Sequence, residues 1–357
     1  MTTVDREKFI LTLESVSPGL SPKEIIEQSN AFIFRGGEVL TYNDEVACRA
    51  RSGLEDKFQG AVAAGRIMEQ LRKWKEEEIR VEPRDNDLMV MGKRKRAAFT
   101  LDKEISLPVD SIELPKKWKP LPDGFTDAVK TTGQCAGANQ AEFETTCVHL
   151  HPEWVEATDR FQFCRWPLAT GLDESFLVRQ TALRHLASIQ ADEFGETDGW
   201  LHFRAKGQGT VLSCRRYLEE YPDLSKLMKL KGEPAILPKG LAEAAERAAV
   251  FASESADNPY VQIELRPAKL RIKGQGVSGW YQEARKVKYN GPAMSFVIAP
   301  GMLADIVRKH NDCQIGQDHL IVNGGAYTYV SCLMRHSEKE QGDDSPDRKK
   351  KPREDDE

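Results

Sequence analysis

"GRIMEQLRKWKEEE", residues 65–78, decides the fold. At 3.6 residues per turn Ile67, Met68, Leu71 and Trp74 share one side, Arg66 and Lys73 lie opposite, and Arg72 and Lys75 flank them. One amphipathic helix says only that one side is buried. This side comes back. The apolar quartet recurs 115 residues on as Ala182, Leu183, Leu186 and Ile189 in "VRQTALRHLASIQ", and a further 121 on as Leu303, Ala304, Val307 and His310 in "PGMLADIVRKH".

Working outward, each helix sits in the same surroundings. Upstream lies a strand, a two-residue turn and a strand: "IFRGGEVLTY" from 33, "HLHPEWVEAT" from 149 and "ELRPAKLRIK" from 264. Their turns, Gly36-Gly37, Pro152-Glu153 and Pro267-Ala268, all suit tight reversals. Before each hairpin comes another amphipathic helix: "DREKFILTLESV" from 5, "DGFTDAVKTTGQCA" from 123 and "PKGLAEAAERAAVFA" from 238. After each second helix, alternating runs broken by Gly, Asn and Asp read as more strands. The spacing predicts an α+β chain of three tandem repeats: residues 1–121, 122–234 and 235–336, each ordered helix, strands, helix, strands. Residues 337–357 carry no aromatic or branched apolar side chain and are expected to be a disordered charged tail.

Composition narrows the function classes. The 357 residues carry a formal net charge of −5, which argues against indiscriminate coating of nucleic acid but leaves room for a local basic face. No apolar run approaches the roughly 18 to 20 residues that span a bilayer, so no membrane role is expected. The opening "MTTVDREKFILTLESV" lacks the apolar core of a secretory signal, and the expected location is the cytoplasm. Seven scattered cysteines, never at CxxC spacing, read as reduced core residues. In "CVHLH", Cys147, His149 and His151 alternate onto one strand face, but no fourth ligand follows at a metal-binding spacing. The "KGQG" strings at 206 and 273 do not form a phosphate loop between strand and helix. No catalytic residue, metal or cofactor is expected.

From residue 4 to about 336, the order and spacing resemble the bacterial sliding clamp family, the beta subunit of DNA polymerase III. "WVEATDRFQF" is similar to the family's "ATDGHRL", "EEYPDL" to its "GRFPDY", and "AYTYVSCLMR" to its "AAYVVMPMR". The resemblance implies a non-catalytic processivity factor: a head-to-tail homodimeric ring with helices lining the pore and antiparallel sheets outside. Helices about 10 Å apart, two per repeat, leave a hole of about 9 Å in a ring of one chain and about 28 Å in a ring of two. Only the dimer admits B-DNA. Arg66, Arg72, Lys73, Arg184, Arg308 and Lys309 would face the duplex, touching phosphates without reading bases.

The same resemblance assigns ring closure to Phe99 and Leu101 against Val250 and Phe251 of another copy. It implies a peptide groove formed by Thr158, Phe161, Phe163, Leu227, Met228, Val330, Cys332, Met334 and Arg335, serving the replicative DNA polymerase, the clamp loader and other proteins with clamp-binding motifs. Arg160 and Phe161 stand where the family has Gly-His, and Cys332-Leu333 where it has Met-Pro. The alternative is a clamp-like protein-binding scaffold that does not encircle DNA.

Overall fold

In the computed structural model, residues 1–207, 209–254 and 259–335 are described; the expected tail at 337–357 lies outside them. The first stretch runs β1 (Thr2–Asp5), α1 (Arg6–Val16), β2 (Ala31–Arg35), β3 (Glu38–Tyr42), β4 (Val46–Arg51), β5 (Gly60–Ala63), α2 (Ala64–Lys73), β6 (Glu78–Arg84), β7 (Asp87–Met91) and β8 (Arg96–Thr100). The second runs β9 (Lys119–Pro120), α3 (Phe125–Thr132), β10 (Cys147–His151), β11 (Trp154–Thr158), β12 (Gln162–Pro167), β13 (Phe176–Arg179), α4 (Gln180–Leu183), β14 (Glu193–Thr197), β15 (Trp200–Arg204) and β16 (Val211–Arg215). The third runs β17 (Glu233–Ile236), α5 (Leu241–Ala252), β18 (Val261–Arg266), β19 (Lys269–Gln275), β20 (Trp280–Lys286), β21 (Lys288–Tyr289), β22 (Met294–Ile298), α6 (Pro300–Lys309), β23 (Asp312–Ile315), β24 (His319–Asn323), β25 (Thr328–Cys332) and β26 (Met334–Arg335).

Local chemistry explains the landmarks. Asp5 caps α1 by accepting the Lys8 N–H at 2.9 Å, and Phe9, Ile10, Leu13 and Val16 are buried along one side. Pro300 opens α6, where its missing N–H costs nothing. Gly36 and Gly37 take φ of 56° and 74°, the conformation that the two-residue turn between β2 and β3 requires. In α2 all four quartet residues are buried, as are Ala182, Leu183, Leu186 and Ile189; in the third stretch Leu303, Ala304 and Val307 are buried and His310 is half-buried.

The helix expected through "VRQTALRHLASIQ" is shorter than its spacing suggests. After α4 the chain continues in tighter turns, with Leu186 N–H on the Leu183 carbonyl at 3.0 Å and Ser188 N–H on the His185 carbonyl at 3.1 Å. The Ser188 hydroxyl also donates to the His185 carbonyl at 2.6 Å, competing with the helical backbone pattern. The apolar side chains keep their burial while the regular helix ends.

The chain divides into two compact units, one of Met1–Met228 with Gly324–Tyr329, the other of Lys229–Asn323 with the chain from Val330. In the first unit one antiparallel sheet is ordered β1-β6-β7-β8, and β13-β10-β11-β12 lie side by side in another. A third, eight strands wide, runs β5-β2-β3-β4-β16-β15-β14-β9, so strands from the first and second stretches share it. The second unit contains β20-β19-β18-β22-β26 and, in another sheet, β24-β23-β17-β21. Here α5 buries mostly alanines, and a Cβ on Gly274 of β19 would lie 2.0 Å from the Ala248 carbonyl oxygen. Small residues on both sides let helix and sheet approach closely.

Candidate DNA-facing helices and sheet edges

The basic residues assigned to the duplex are all exposed. Arg66 is the most exposed of α2, with 84% of its side chain accessible, and lies 3.8 Å from Glu69. Lys73 binds the same Glu69 at 2.6 Å, one helical turn away, and holds its carboxyl below the usual range. Arg72 reaches across to Glu14 of α1 at 2.8 Å. In the other unit Arg308 of α6 makes the matching reach to Glu246 of α5, with Asp305 at 3.9 Å. Arg184 donates to the His185 ring at 3.3 Å, and Lys309 is exposed at the end of α6. The helix faces therefore alternate sign. Their basic residues cluster at the C-terminal ends of α2 and α6, where the helix dipole favours them.

The eight-stranded sheet contains a closed seam. There β4 and β16 pair with Leu212 opposite Cys48, Ser213 opposite Ala47 and Cys214 opposite Val46, and the Arg215 N–H continues the ladder to the Glu45 carbonyl at 2.9 Å. Arg215 grips the turn beyond β3: Nε donates to the Asp44 carbonyl and Nη2 to the Asp44 carboxylate, both at 2.6 Å, while its plane lies 4.8 Å from the Trp200 ring. From α4 and the strand before it, the Thr181 hydroxyl donates to Glu45 at 3.2 Å and Arg179 pairs with Glu45 at 3.3 Å. Behind the seam, the buried His202 ring is held by Thr197 and Ser213, each at 2.7 Å. Burial, then the nearby Arg49 charge, lowers its pKa to about 4, so it is neutral at ordinary pH.

At the ends of two other sheets, β8 and β20 each have a single neighbour among the described residues. The residues assigned to ring closure fall here and on α5. Phe99 is half-buried on β8, beside a groove of about 980 Å³ that also takes in Val62, Arg66, Trp74, Arg96 and Thr100. Leu101 is different: it is buried, and Gly60 makes room for it, since a Cβ there would sit 2.4 Å from Leu101 Cδ1. It has no surface left for a seam. On α5, Val250 is 64% exposed and Phe251 half-buried. Trp280 of β20 and Val277 before it, 63% and 89% exposed, were not anticipated.

The groove residues fall into two classes within their own units. Thr158, Phe163 and Val330 are buried, and Thr158 spends its hydroxyl on the Gln162 carbonyl at 2.7 Å. Leu227, Met228 and Met334 are half-buried, whereas Phe161, Cys332 and Arg335 are exposed, with Arg335 bonded to Gln317 at 2.9 Å. The cysteines form no disulfide; six are buried, and Cys332 departs from the core reading by being exposed.

"CVHLH" belongs to a packed polar cluster. Glu156, almost wholly buried, binds His149 Nδ1 at 2.8 Å, Arg165 at 2.7 Å and the Trp154 indole N–H at 3.1 Å. Burial pushes its carboxyl upward, but the His149 and Arg165 contacts outweigh that and leave the pKa lowered. His151 stacks on Trp154 with ring centres 3.5 Å apart. Among the described residues no three His, Cys, Asp or Glu side chains are placed to hold a metal ion, and no helix is long and apolar enough to cross a membrane.

Comparison with solved structures matches this arrangement along nearly its whole length. The DNA polymerase III subunit beta of Pseudomonas aeruginosa superposes with a TM-score of 0.78 at 15% identity, covering 94% of this chain and 100% of that one. The chain has the sliding-clamp fold. The DNA polymerase III beta subunit of Thermotoga maritima gives a TM-score of 0.80 at 14% identity, and the beta chain of Streptococcus pneumoniae the same values, each covering 94% of this chain and 99% of the other. No protein-family model and no curated protein matches the sequence. At such low identity the sliding-clamp likeness is one of backbone architecture. The helix faces and sheet edges above are this chain's own.

Proposed function

We propose that this protein is a DNA sliding clamp: a head-to-tail homodimeric ring that encircles duplex DNA without sequence preference and tethers the replicative polymerase. The clamp loader and other proteins with clamp-binding motifs would share a peptide site around Phe161, Leu227, Met228, Cys332, Met334 and Arg335. The reading is carried by one observation: a chain with the sliding-clamp fold along 94% of its length ends two of its sheets in single-neighbour strands, β8 and β20. Such strands are templates for pairing with another chain, and head-to-tail closure uses two different edges. Basic residues at the ends of α2 and α6 supply attraction for phosphates through the solvent.

A second reading, a protein-binding scaffold that does not encircle DNA, is favoured by the carboxylates Glu14, Glu69 and Glu246 set against Arg72, Lys73 and Arg308. Retention on nicked circular DNA separates the two. A clamp, once assembled around the circle, stays bound through gel filtration and is lost when the circle is cut. Equal loss from circular and linear DNA overturns encirclement.

A further inference from the structure

The internal seam predicts how two copies would join, residue by residue. At the 115-residue spacing the strand equivalent to β16 (Val211–Arg215) is β8 (Arg96–Thr100). The strand equivalent to β4 is β20. Their hairpins start alike, with Arg35 opposite Glu38 in one and Arg266 opposite Lys269 in the other, and following each ladder onward puts Arg51 in the place of Lys286. Ala47 then corresponds to Gln282, Cys48 to Glu283 and Val46 to Tyr281.

We propose that β8 of one copy pairs antiparallel with β20 of another in this transposed register: Ala98 opposite Gln282, Ala97 opposite Glu283, and Phe99 opposite Tyr281. The inference rests on the homodimer reading above and deepens it.

Two features that did not enter the transposition agree with it. On β8, the bonds Gly92 N–H to Lys95 carbonyl and Leu101 N–H to Asn86 carbonyl put the odd-numbered residues in register with β7, so Arg96, Ala98 and Thr100 turn their backbone groups outward. On β20, the bond from Gly276 N–H to the Gly279 carbonyl likewise leaves Trp280, Gln282, Ala284 and Lys286 facing outward. The proposed register sets outward residue against outward residue. Burial follows the same parity: half-buried Ala97 and Phe99 meet half-buried Glu283 and Tyr281, and exposed Ala98 meets exposed Gln282. A slip of one residue breaks both agreements at once.

The two seams differ at one end. The β19–β20 hairpin continues two pairs further than β3–β4, through Gly274 opposite Tyr281 and Gln275 opposite Trp280. Trp280 and Val277 therefore stand where the internal seam has Asp44 and Glu45, and Trp280 falls opposite Thr100, the counterpart of Arg215. Arg66, the counterpart of Thr181, lines the groove beside Phe99 and Thr100 and is assigned to this seam rather than to the duplex. At the other end Lys95 meets Arg285, but each already has a carboxylate, Glu76 at 3.4 Å and Glu283 at 2.6 Å.

The test uses the full chain with exposed Cys332 changed to Ser. Ala98→Cys with Gln282→Cys, mildly oxidised, should give disulfide-linked dimers about tenfold more abundantly than Ala98→Cys with Ala284→Cys, because opposed Cα atoms lie about 5.5 Å apart and diagonal ones about 7 to 8 Å. If light scattering finds a dimer yet the second pair links as well as the first, or neither links, the register is overturned and the dimer stands. A monomeric parent protein overturns the dimer reading and this inference with it.

Discussion

Two kinds of strand edge occur in this molecule. Between β4 and β16 the edges are joined, Arg215 and Arg179 clasp the acidic turn at Asp44 and Glu45, and a buried histidine sits behind. At β8 and β20 the same positions carry alanine, glutamine and an exposed tryptophan, with no strand beyond them among the described residues. Folding forms the first seam within one chain, so it needs no defence against wrong partners. The other edges must stay soluble until a second copy arrives. The run Lys93–Arg96 beside β8, and Arg285 and Lys286 on β20, guard them as charged residues commonly guard sheet edges.

The largest effect should come from breaking the outer edge alone. Ala98→Pro removes an outward N–H and places a ring where another strand must come, while its neighbours keep their bonds to β7. We expect the dimer to weaken at least about a hundredfold, the equivalent of roughly 3 kcal/mol, with the monomer's melting temperature almost unchanged. Sedimentation equilibrium measures the first and calorimetry the second. An unchanged dissociation constant would show that β8 does not form the contact.

How far could these edges be foreseen? The helix sides and hairpins were legible because they depend on spacing within ten or so residues, and "GRIMEQLRKWKEEE" carries its own period. Leu101 was misplaced because its burial depends on Gly60, some forty residues away, having no side chain. Nor did the helical spacing reveal Glu14 and Glu246, which meet Arg72 and Arg308 only when neighbouring helices pack. The β8–β20 correspondence was already latent in the repeat spacing, but its register needed the observed ladders. The α4 segment failed for a local reason, a serine hydroxyl competing for a backbone carbonyl.

A smaller effect distinguishes the inner seam by pH. His202 binds Ser213 of β16, whereas the corresponding residue on β8 is Ala98. Its folded pKa of about 4 lies below the ordinary 6.5, so between these values the unfolded chain binds the additional proton. Stability is therefore retained above pH 6.5 and lost as pH falls toward 4, by at most about 3 kcal/mol from this group. Urea titrations of the parent and of His202→Asn should show a shallower slope for the variant in that window. Glu156, with its lowered carboxyl, acts only at more acidic pH, below its ordinary range. Equal slopes would mean that His202 does not hold the proton balance assigned to it.

The smallest effect concerns the clasp at the inner seam. Arg215 is partly solvated and Asp44 largely so, which limits their ion pair to a fraction of its value in isolation, but the guanidinium also covers Trp200 and bonds the Asp44 carbonyl. Arg215→Gln should cost about 1 kcal/mol and lower the melting temperature by roughly 3 °C. The dissociation constant of the dimer should remain within about twofold, since Thr100 stands at that position in the outer seam and the proposed contact uses no arginine there. If Arg215→Gln weakens the dimer as much as Ala98→Pro does, the inner seam is not an independent lock: a change in the first sheet is being transmitted to β8, and the two edges must be treated as one cooperative structure.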